Sequence, residues 1–467
     1  MAVELRTTMQ GDAKELTAAY TDIVIYAEGI PDIVLAQQNV KYICVVIVNG
    51  QQVATLKAPV DSNDKAIFRI ASILQDYTET DKSGYDLDSS APSTSFGNTM
   101  IESNHAIHQI DKYARNRNNL NTCVCLGGYE YNTVGNSTII QNLSLSSDVE
   151  FNFFNSVHQH KNGYGLQGFS DYLLTGGTKK FLTKFPQNFA GTGLSGQKIQ
   201  LAQYHTIGFL NGKHYQDSEV TRIRIRTYNS SDTLLQTKYV DNTAINGGAP
   251  FGSAILGQAQ SNNTNEGLLY FGCGTVQLDE LAFNMNNVAY YTVTALNVNI
   301  NVSKTYYFTI QEADCKGYET IRLAFLNSLG AWDYYNFTKK SVRKTQINKT
   351  AIKQNYGTTP YQATTGFGDA FNYDYYTQGT YDGGTRAFNV NAIETIEANT
   401  DFVTEDEAAI LEELFLSPDV YMQTGYSFEP VVINEQEYIK QTTANDMLKQ
   451  YIITIEKGHN TRVQRLW

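Results

Sequence analysis

Apolar residues recur at every second position through much of this chain, which is the period of a β-strand. The clearest case runs from 319 to 338. Ile321, Leu323 and Phe325 alternate on a first arm, Asn327-Ser328-Leu329-Gly330 makes a tight turn, and Trp332, Tyr334 and Tyr335 lead a second arm. Alternation broken by a glycine turn predicts a hairpin. The same period predicts strands over 22–27, 40–48 and 66–74, with Asn49-Gly50 as a type I′ turn into 52–56 and a polar turn over 61–64. Further strands are predicted over 149–154, 205–210, 221–228, 234–239, 267–278, 290–300 and 305–310. Asn211-Gly212, residues 229–232, Gly247-Gly248 and residues 284–287 punctuate them. Near the C-terminus, 388–396, 419–422, 429–433, 437–441 and 448–456 read the same way. One segment there has the helical period instead. Thr404 and Glu407 form a capping box, Ile410, Leu411, Leu414 and Phe415 make one apolar face, and Ser417-Pro418 ends the helix.

Many short strands with regular turn punctuation predict a mainly β protein. At 467 residues the chain exceeds one ordinary core. The expected fold is several antiparallel β-sandwich domains, with one helix packed on the C-terminal β-domain. Residues 1–80 form an N-terminal β-domain in this reading, and 81–121, rich in Ser, Asn, Asp and Gly, an extended polar arm. A central β-sandwich region of one or two sandwiches spans 122–340. Residues 341–385 hold a basic link, whose cluster begins at Lys339 and Lys340 and runs through Arg343, Lys344, Lys349 and Lys353, and a Tyr/Gly-rich arm, and 386–467 is the C-terminal β-domain with one helix. An echo between 204–212 and 318–330, each with Tyr-x-Thr-Ile and Phe-Leu-Asn, fits either duplicated strands or chance.

Composition narrows the class. Tyrosine appears 32 times and tryptophan twice; tyrosine suits strands and wet interfaces, having an apolar face and a hydroxyl. The net charge of −12 speaks against a protein that coats nucleic acid, so nucleic acid is not an expected partner. No apolar run approaches the roughly 20 residues of a membrane span, and the start lacks the pattern of a signal peptide; a soluble product of a cytoplasm is expected. Cys44, Cys123, Cys125, Cys273 and Cys315 follow neither a zinc nor a disulfide pattern and read as reduced, mostly buried thiols. Cys123 and Cys125, two apart in a strand, share a face.

Candidate chemistry is sparse. No Walker loop, nucleophile elbow or HExxH motif occurs, so the expectation is a protein without catalytic residues, metal or cofactor. His105 and His108, and His158 and His160, are close pairs without an evident third ligand and read as surface polar groups. Asp86 and Asp88, and Asp61 and Asp64, read as turn formers rather than calcium ligands. Arg222, Arg224 and Arg226 alternate with Ile223 and Ile225. They form either a solvated outer face over a buried isoleucine face or a charged strip for an acidic partner, such as the acid-rich 394–413 of a neighbouring copy. Tyr361, Tyr373, Tyr375 and Tyr376, with Tyr356 and Phe371, are spaced by small polar residues and suit an arm that adheres to another surface. The cluster over 339–353 reads as a linker or subunit interface ahead of a nucleic-acid contact.

Several phrases resemble a known class. ETIRLAFLNSLGAWDYYNFT (319–338), FRIASILQDYTETD (68–81), FLTKFPQNF (181–189), LSPDVYMQTGYSFEPVVI (416–433) and QYIITIEKGHNTRVQR (450–465) are similar to segments of virion structural proteins of tailed bacteriophages, particularly of Bacteroidota and marine hosts. The resemblance implies a structural subunit of a virion, made in the host cytoplasm, in a symmetric ring or collar of the tail, neck or baseplate. Its partners would be further copies of itself and other virion proteins. The residues expected at subunit interfaces are Arg222, Arg224, Arg226, Tyr361, Tyr373, Tyr375 and Tyr376. The alternative is a receptor- or glycan-binding tail-fibre or adhesin protein, with Tyr373, Tyr375 and Tyr376 against a host surface glycan. A virion glycan depolymerase would need paired acids in a cleft, and no pair stands out.

Overall fold

The computed structural model describes residues 3–7, 15–78, 121–135, 137–143, 149–157, 169, 171–185, 196–211, 220–241, 268–280, 283–311, 317–354, 384–403, 405–425, 427–434, 450–460 and 462–465. The chain is mainly β, in five sheets with four helices among these residues. No helix among them is long and apolar enough to cross a membrane.

The first sheet joins β1 (Glu4–Thr7), β3 (Val24–Glu28) and β6 (Ala66–Arg69). It faces a six-stranded sheet ordered β2 (Glu15–Ala18), β9 (Val149–Phe154), β7 (Asn121–Asn132), β4 (Gln38–Val48) and β5 (Gln51–Pro59), with β8 (Ile139–Leu143) added on β7. Leu5, Ile25 and Phe68 of the first sheet meet Cys44, Val46, Cys123 and Phe151 of the second in one core. Asn49 and Gly50 both take positive φ (52° and 80°) between Val48 and Gln51, as a type I′ turn requires. The expected strand over 66–74 bends after Arg69 into a short helix, α1 and α2 being Asp32–Leu35 and Ala71–Gln75. The bend buries Ile70 and Leu74 on one side, at helical rather than strand spacing.

The expected boundary near residue 122 falls inside a sheet. β4 hydrogen-bonds to β7 from Lys41 opposite Glu130 to Val48 opposite Cys123, so β7, β8 and β9 complete the N-terminal sandwich. A two-stranded unit of β4 and β5 leaves one hydrogen-bonding edge of β4 open; β7 closes it.

The second sandwich pairs a small sheet, β10 (Leu173–Leu174), β12 (Thr206–Asn211) and β15 (Leu268–Gly272), with a six-stranded one. The latter is ordered β11 (Gln197–Ile199), β18 (Tyr306–Ile310), β16 (Tyr290–Asn297), β13 (Arg222–Tyr228) and β14 (Leu234–Asp241), with β17 (Ile300–Asn301) beside β16. Ile207, Phe209 and Phe271 pack on Ile223, Ile225, Tyr291, Val293 and Phe308. The strand expected over 267–278 again becomes strand then helix, α3 (Thr275–Glu280). Gly274 makes that turn possible, because a Cβ there would strike the backbone of Gln203 and His205.

The fifth sheet has eight strands: β20 (Trp332–Phe337), β19 (Ile321–Leu326), β23 (Val420–Thr424), β24 (Ser427–Ile433), β25 (Ile452–Lys457), β22 (Gly384–Asn399) and β21 (Val342–Gln354), with β26 (Arg462–Arg465) also on β22. Helix α4 (Glu405–Leu416) lays Ile410, Leu411 and Leu414 on Leu323, Phe325, Ile396, Ile453 and Ile455, so the C-terminal sheet carries its expected helix. Two further expectations change here. The hairpin of β19 and β20, assigned to the central region, pairs with β23 through Arg322–Phe325. The basic link over 339–353 is mostly strand β21, paired along its whole length with β22. The predicted arm over 81–121, except Asn121, and the strand over 437–441 lie outside the described residues.

Candidate interaction site

The hairpin of β19 and β20 lies where the cores meet. Every residue of β19 is buried, odd and even positions alike, because each face of the hairpin has its own cover. Leu323 and Phe325 face helix α4. Ala324, Leu326, Trp332 and Tyr334 face a core shared with Ala18 of β2, Phe154 of β9 and Leu210 of β12. The turn is held by its own asparagine: Asn327 Oδ1 accepts from Leu329 N and Ala331 N at 3.0 and 3.1 Å. Ser328 then ties the turn to two elements. Its N–H and hydroxyl donate to the Glu413 carboxylate of α4 at 2.8 and 3.0 Å, and its carbonyl accepts from Val157 N at 2.8 Å. Gly330, at φ 80°, sits so close to Phe154 and Asn155 that a Cβ would collide.

Two charged side chains of the hairpin are buried by this double cover. Asp333 Oδ1 accepts from the Thr183 hydroxyl at 2.6 Å, and Oδ2 accepts from Asn327 Nδ2 at 2.8 Å and Lys184 N at 3.3 Å. Burial pushes its carboxyl up to about 6, against those donors. Arg322 donates to Asn336 Oδ1 and the Tyr204 carbonyl, both at 2.8 Å, and meets His205 Nδ1 at 3.1 Å. Its guanidinium lies 4.8 Å from the Tyr334 ring centroid. Burial lowers Arg322 to about 10 and holds His205 well below its usual value, with Arg322 adding to the effect. A neutral His205 is the acceptor that Arg322 needs. The segment Phe181–Phe185 supplies the neighbouring contacts: Phe181, Leu182 and Phe185 enter three different cores. This constellation holds sheets together.

The predicted arginine strip is on β13. Ile223 and Ile225 are fully buried beneath it, and Arg222, Arg224 and Arg226 are half-buried on the outer face. Thr294 and Thr292 of β16 stand opposite Arg224 and Arg226, and Tyr239 and Thr237 of β14 flank them on the other side. The Arg222 guanidinium lies 5.6 Å from the Tyr239 ring centroid, and Tyr228 stacks on Tyr290 at 4.8 Å. Burial, then Arg226, lowers Arg224. Much of the acidic strip over 394–413 already has cationic partners. Glu394 pairs with Arg343 at 2.8 Å and Lys457 at 3.4 Å, Glu397 with Lys344, Asp401 with Lys339, Glu407 with Lys198 and Glu413 with Lys184, all within one chain.

The ribbon of β21 and β22 is a third surface. Its strands of 13 and 16 residues run about 43 Å or more at ~3.3 Å per residue. β25 and β26 hold β22 over 395–399 and 389–392, while 384–388 pair with β21 alone. Ile347 is 56% exposed, and most of β21 is exposed on both faces. Among the described residues no strand pairs with its outer edge.

Asp61 is a turn former, accepting from Asn63 N and Lys65 N at 2.8 Å. Cys44, Cys123, Cys125 and Cys273 are buried thiols outside any disulfide, and Cys123 and Cys125 share a face with their sulfurs 3.8 Å apart. Among the described residues no three His, Cys, Asp or Glu side chains converge as metal ligands. Tyr356, Tyr361, Phe371, Tyr373, Tyr375, Tyr376, Asp86, Asp88, Cys315 and both histidine pairs lie outside the described residues. The sequence held the hairpin but not the burial of Arg322 and Asp333, several of whose partners come from residues 183–205. No family model matches the chain, and no curated protein matches its sequence.

Proposed function

We propose that this protein is a structural subunit of a tailed-bacteriophage virion, part of a ring or collar in the tail, neck or baseplate. The observation that carries the reading is the β21–β22 ribbon. A strand pair of this length whose outer strand, β21, buries none of residues 342–353 is built to meet another surface, and it brackets the Tyr-rich residues 355–383. The resemblance of five phrases to virion proteins supplies the setting. The role is mechanical: sandwich cores resist deformation, the buried hairpin holds them together, and the ribbon reaches a neighbouring copy or another virion protein.

The test is the mass of the purified chain in solution, with imaging of what forms, for the full chain and for one in which a short Gly-Ser turn replaces 355–383. The expected result is a closed ring of defined copy number that the shortened chain fails to form while keeping its β spectrum. A full chain that stays monomeric, or rings that form unchanged without 355–383, would count against the proposal. A trimer that binds host polysaccharide would turn the reading towards a receptor-binding fibre.

A further inference from the structure

Arg224 and Arg226 of β13 stack like charges on one strand face with no carboxylate against either among the described residues. Many other described cations of this acidic chain do find carboxylates: Lys57 with Glu130, Arg6 and Lys65 with Glu28, Lys198 with Glu407, Lys184 with Glu413. Among the described residues Arg224 and Arg226 form no ion pair, and the Arg226 Nε is buried with no acceptor. Alternate residues of a strand stand about 6.7 Å apart, so the two guanidiniums repel one another. Asp232, near this end of the sheet, is engaged by the Tyr290 hydroxyl. A local rule broken without compensation marks a functional surface more often than a structural one.

The chemistry of the missing partner follows from what the face leaves open. Guanidinium forks are open, and they match carboxylates with two parallel hydrogen bonds. Aromatic faces are engaged within the chain: Tyr228 and Tyr290 stack on each other at an interplanar angle of 10°, and Tyr239 receives Arg222. A base or sugar ring would find one face of each of these rings already used, and the net charge of −12 speaks against nucleic acid. The 6.7 Å spacing is that of alternate side chains on an extended polypeptide. We propose that this outer face docks an extended acidic segment of a partner protein, with carboxylates at alternate residues meeting Arg224 and Arg226, and with Arg222–Tyr239 and Tyr228 bordering them. The chain's own 394–413 fits that description less well, since 405–413 is helical rather than extended and Glu394, Glu397, Asp401, Glu407 and Glu413 already hold cations of their own chain. The proposal stands apart from the virion reading, and neither test decides the other.

The experiment measures binding of a fluorescent octapeptide of alternating Glu and Thr to the full chain, by anisotropy at low and moderate salt. A single-stranded oligothymidylate and polygalacturonate serve as competing polyanions. The peptide is expected to bind saturably and to weaken with salt. Arg224→Gln with Arg226→Gln should weaken it at least about tenfold, roughly the loss of one charge-assisted hydrogen bond, while Lys349→Gln leaves it unchanged. The double variant should unfold at the same temperature as the parent or higher, since a repulsion has been removed. Absence of peptide binding, equal binding by the double variant, tighter binding of either polyanion, or a lower unfolding temperature of the double variant would each overturn the proposal.

Discussion

Arg322 and Asp333 show what single residues contribute and what sequence conceals about them. In a strand that alternates Ile, Leu and Phe, a charged residue at an even position reads as solvent-facing. Here both faces are covered, and residues from 183 to 205 with Asn327 and Asn336 hold the two charges, leaving only the Arg322 Nε without an acceptor among the described residues. No local pattern encodes such distant partners. The arginine strip was legible as alternation, but the lack of counter-charges at Arg224 and Arg226 among the described residues was not. Asp333 carries a pH signature. Its folded value of about 6 lies above the ordinary 3.8, so the folded chain holds this proton more tightly than the unfolded one. The contribution of Asp333 to stability is therefore full below about pH 4 and is lost as pH rises through 6, by roughly 3 kcal/mol. Urea unfolding of the parent and of Asp333→Asn at pH 4 and pH 7 should show the parent's advantage shrinking at the higher pH. An advantage that grows with pH would mean the carboxylate is favoured by burial among its donors.

At the scale of elements, the hairpin of β19 and β20 was the strongest signal in the sequence and also enters two of the cores. Turn chemistry carried the prediction: glycine at φ 80° and an asparagine that caps its own turn. Strand-to-helix bends at Ile70 and Gly274 escaped it, since short apolar runs do not distinguish strand from buried helix. The close approach of Gly330 to Phe154 and Asn155 gives the turn a second role as a docking point. Gly330→Ala is expected to cost roughly 3 kcal/mol or more, through both φ strain and collision. Gly50→Ala, at the same φ of 80° with nothing within 4 Å, should cost only about 1 kcal/mol. Denaturant midpoints of the two variants check this, and equal losses would mean that the collision is relieved by a small shift of the 154–157 segment.

At the scale of the whole molecule, the class of fold was readable from strand period and turn punctuation, whereas the boundaries were not. Composition marks where polar stretches interrupt the chain, but strands on either side of residues 79–120 pair with each other, and those on either side of 355–383 do the same. Sheet partners are chosen by edges and faces, which composition does not record. A fragment of residues 1–80 should accordingly remain unfolded, while 1–157, which holds every residue of the first core, should fold; far-ultraviolet dichroism and amide exchange of the two fragments provide the check. The ribbon has a consequence of a different kind. Tension applied to 355–383 along the strand axis reaches the body through β22, whose hydrogen bonds to β25 and β26 lie across that axis. They are loaded in shear and must fail together rather than unzip one by one, so a pull in this direction meets the stiffest response the sheet can give, and a sideways pull the weakest.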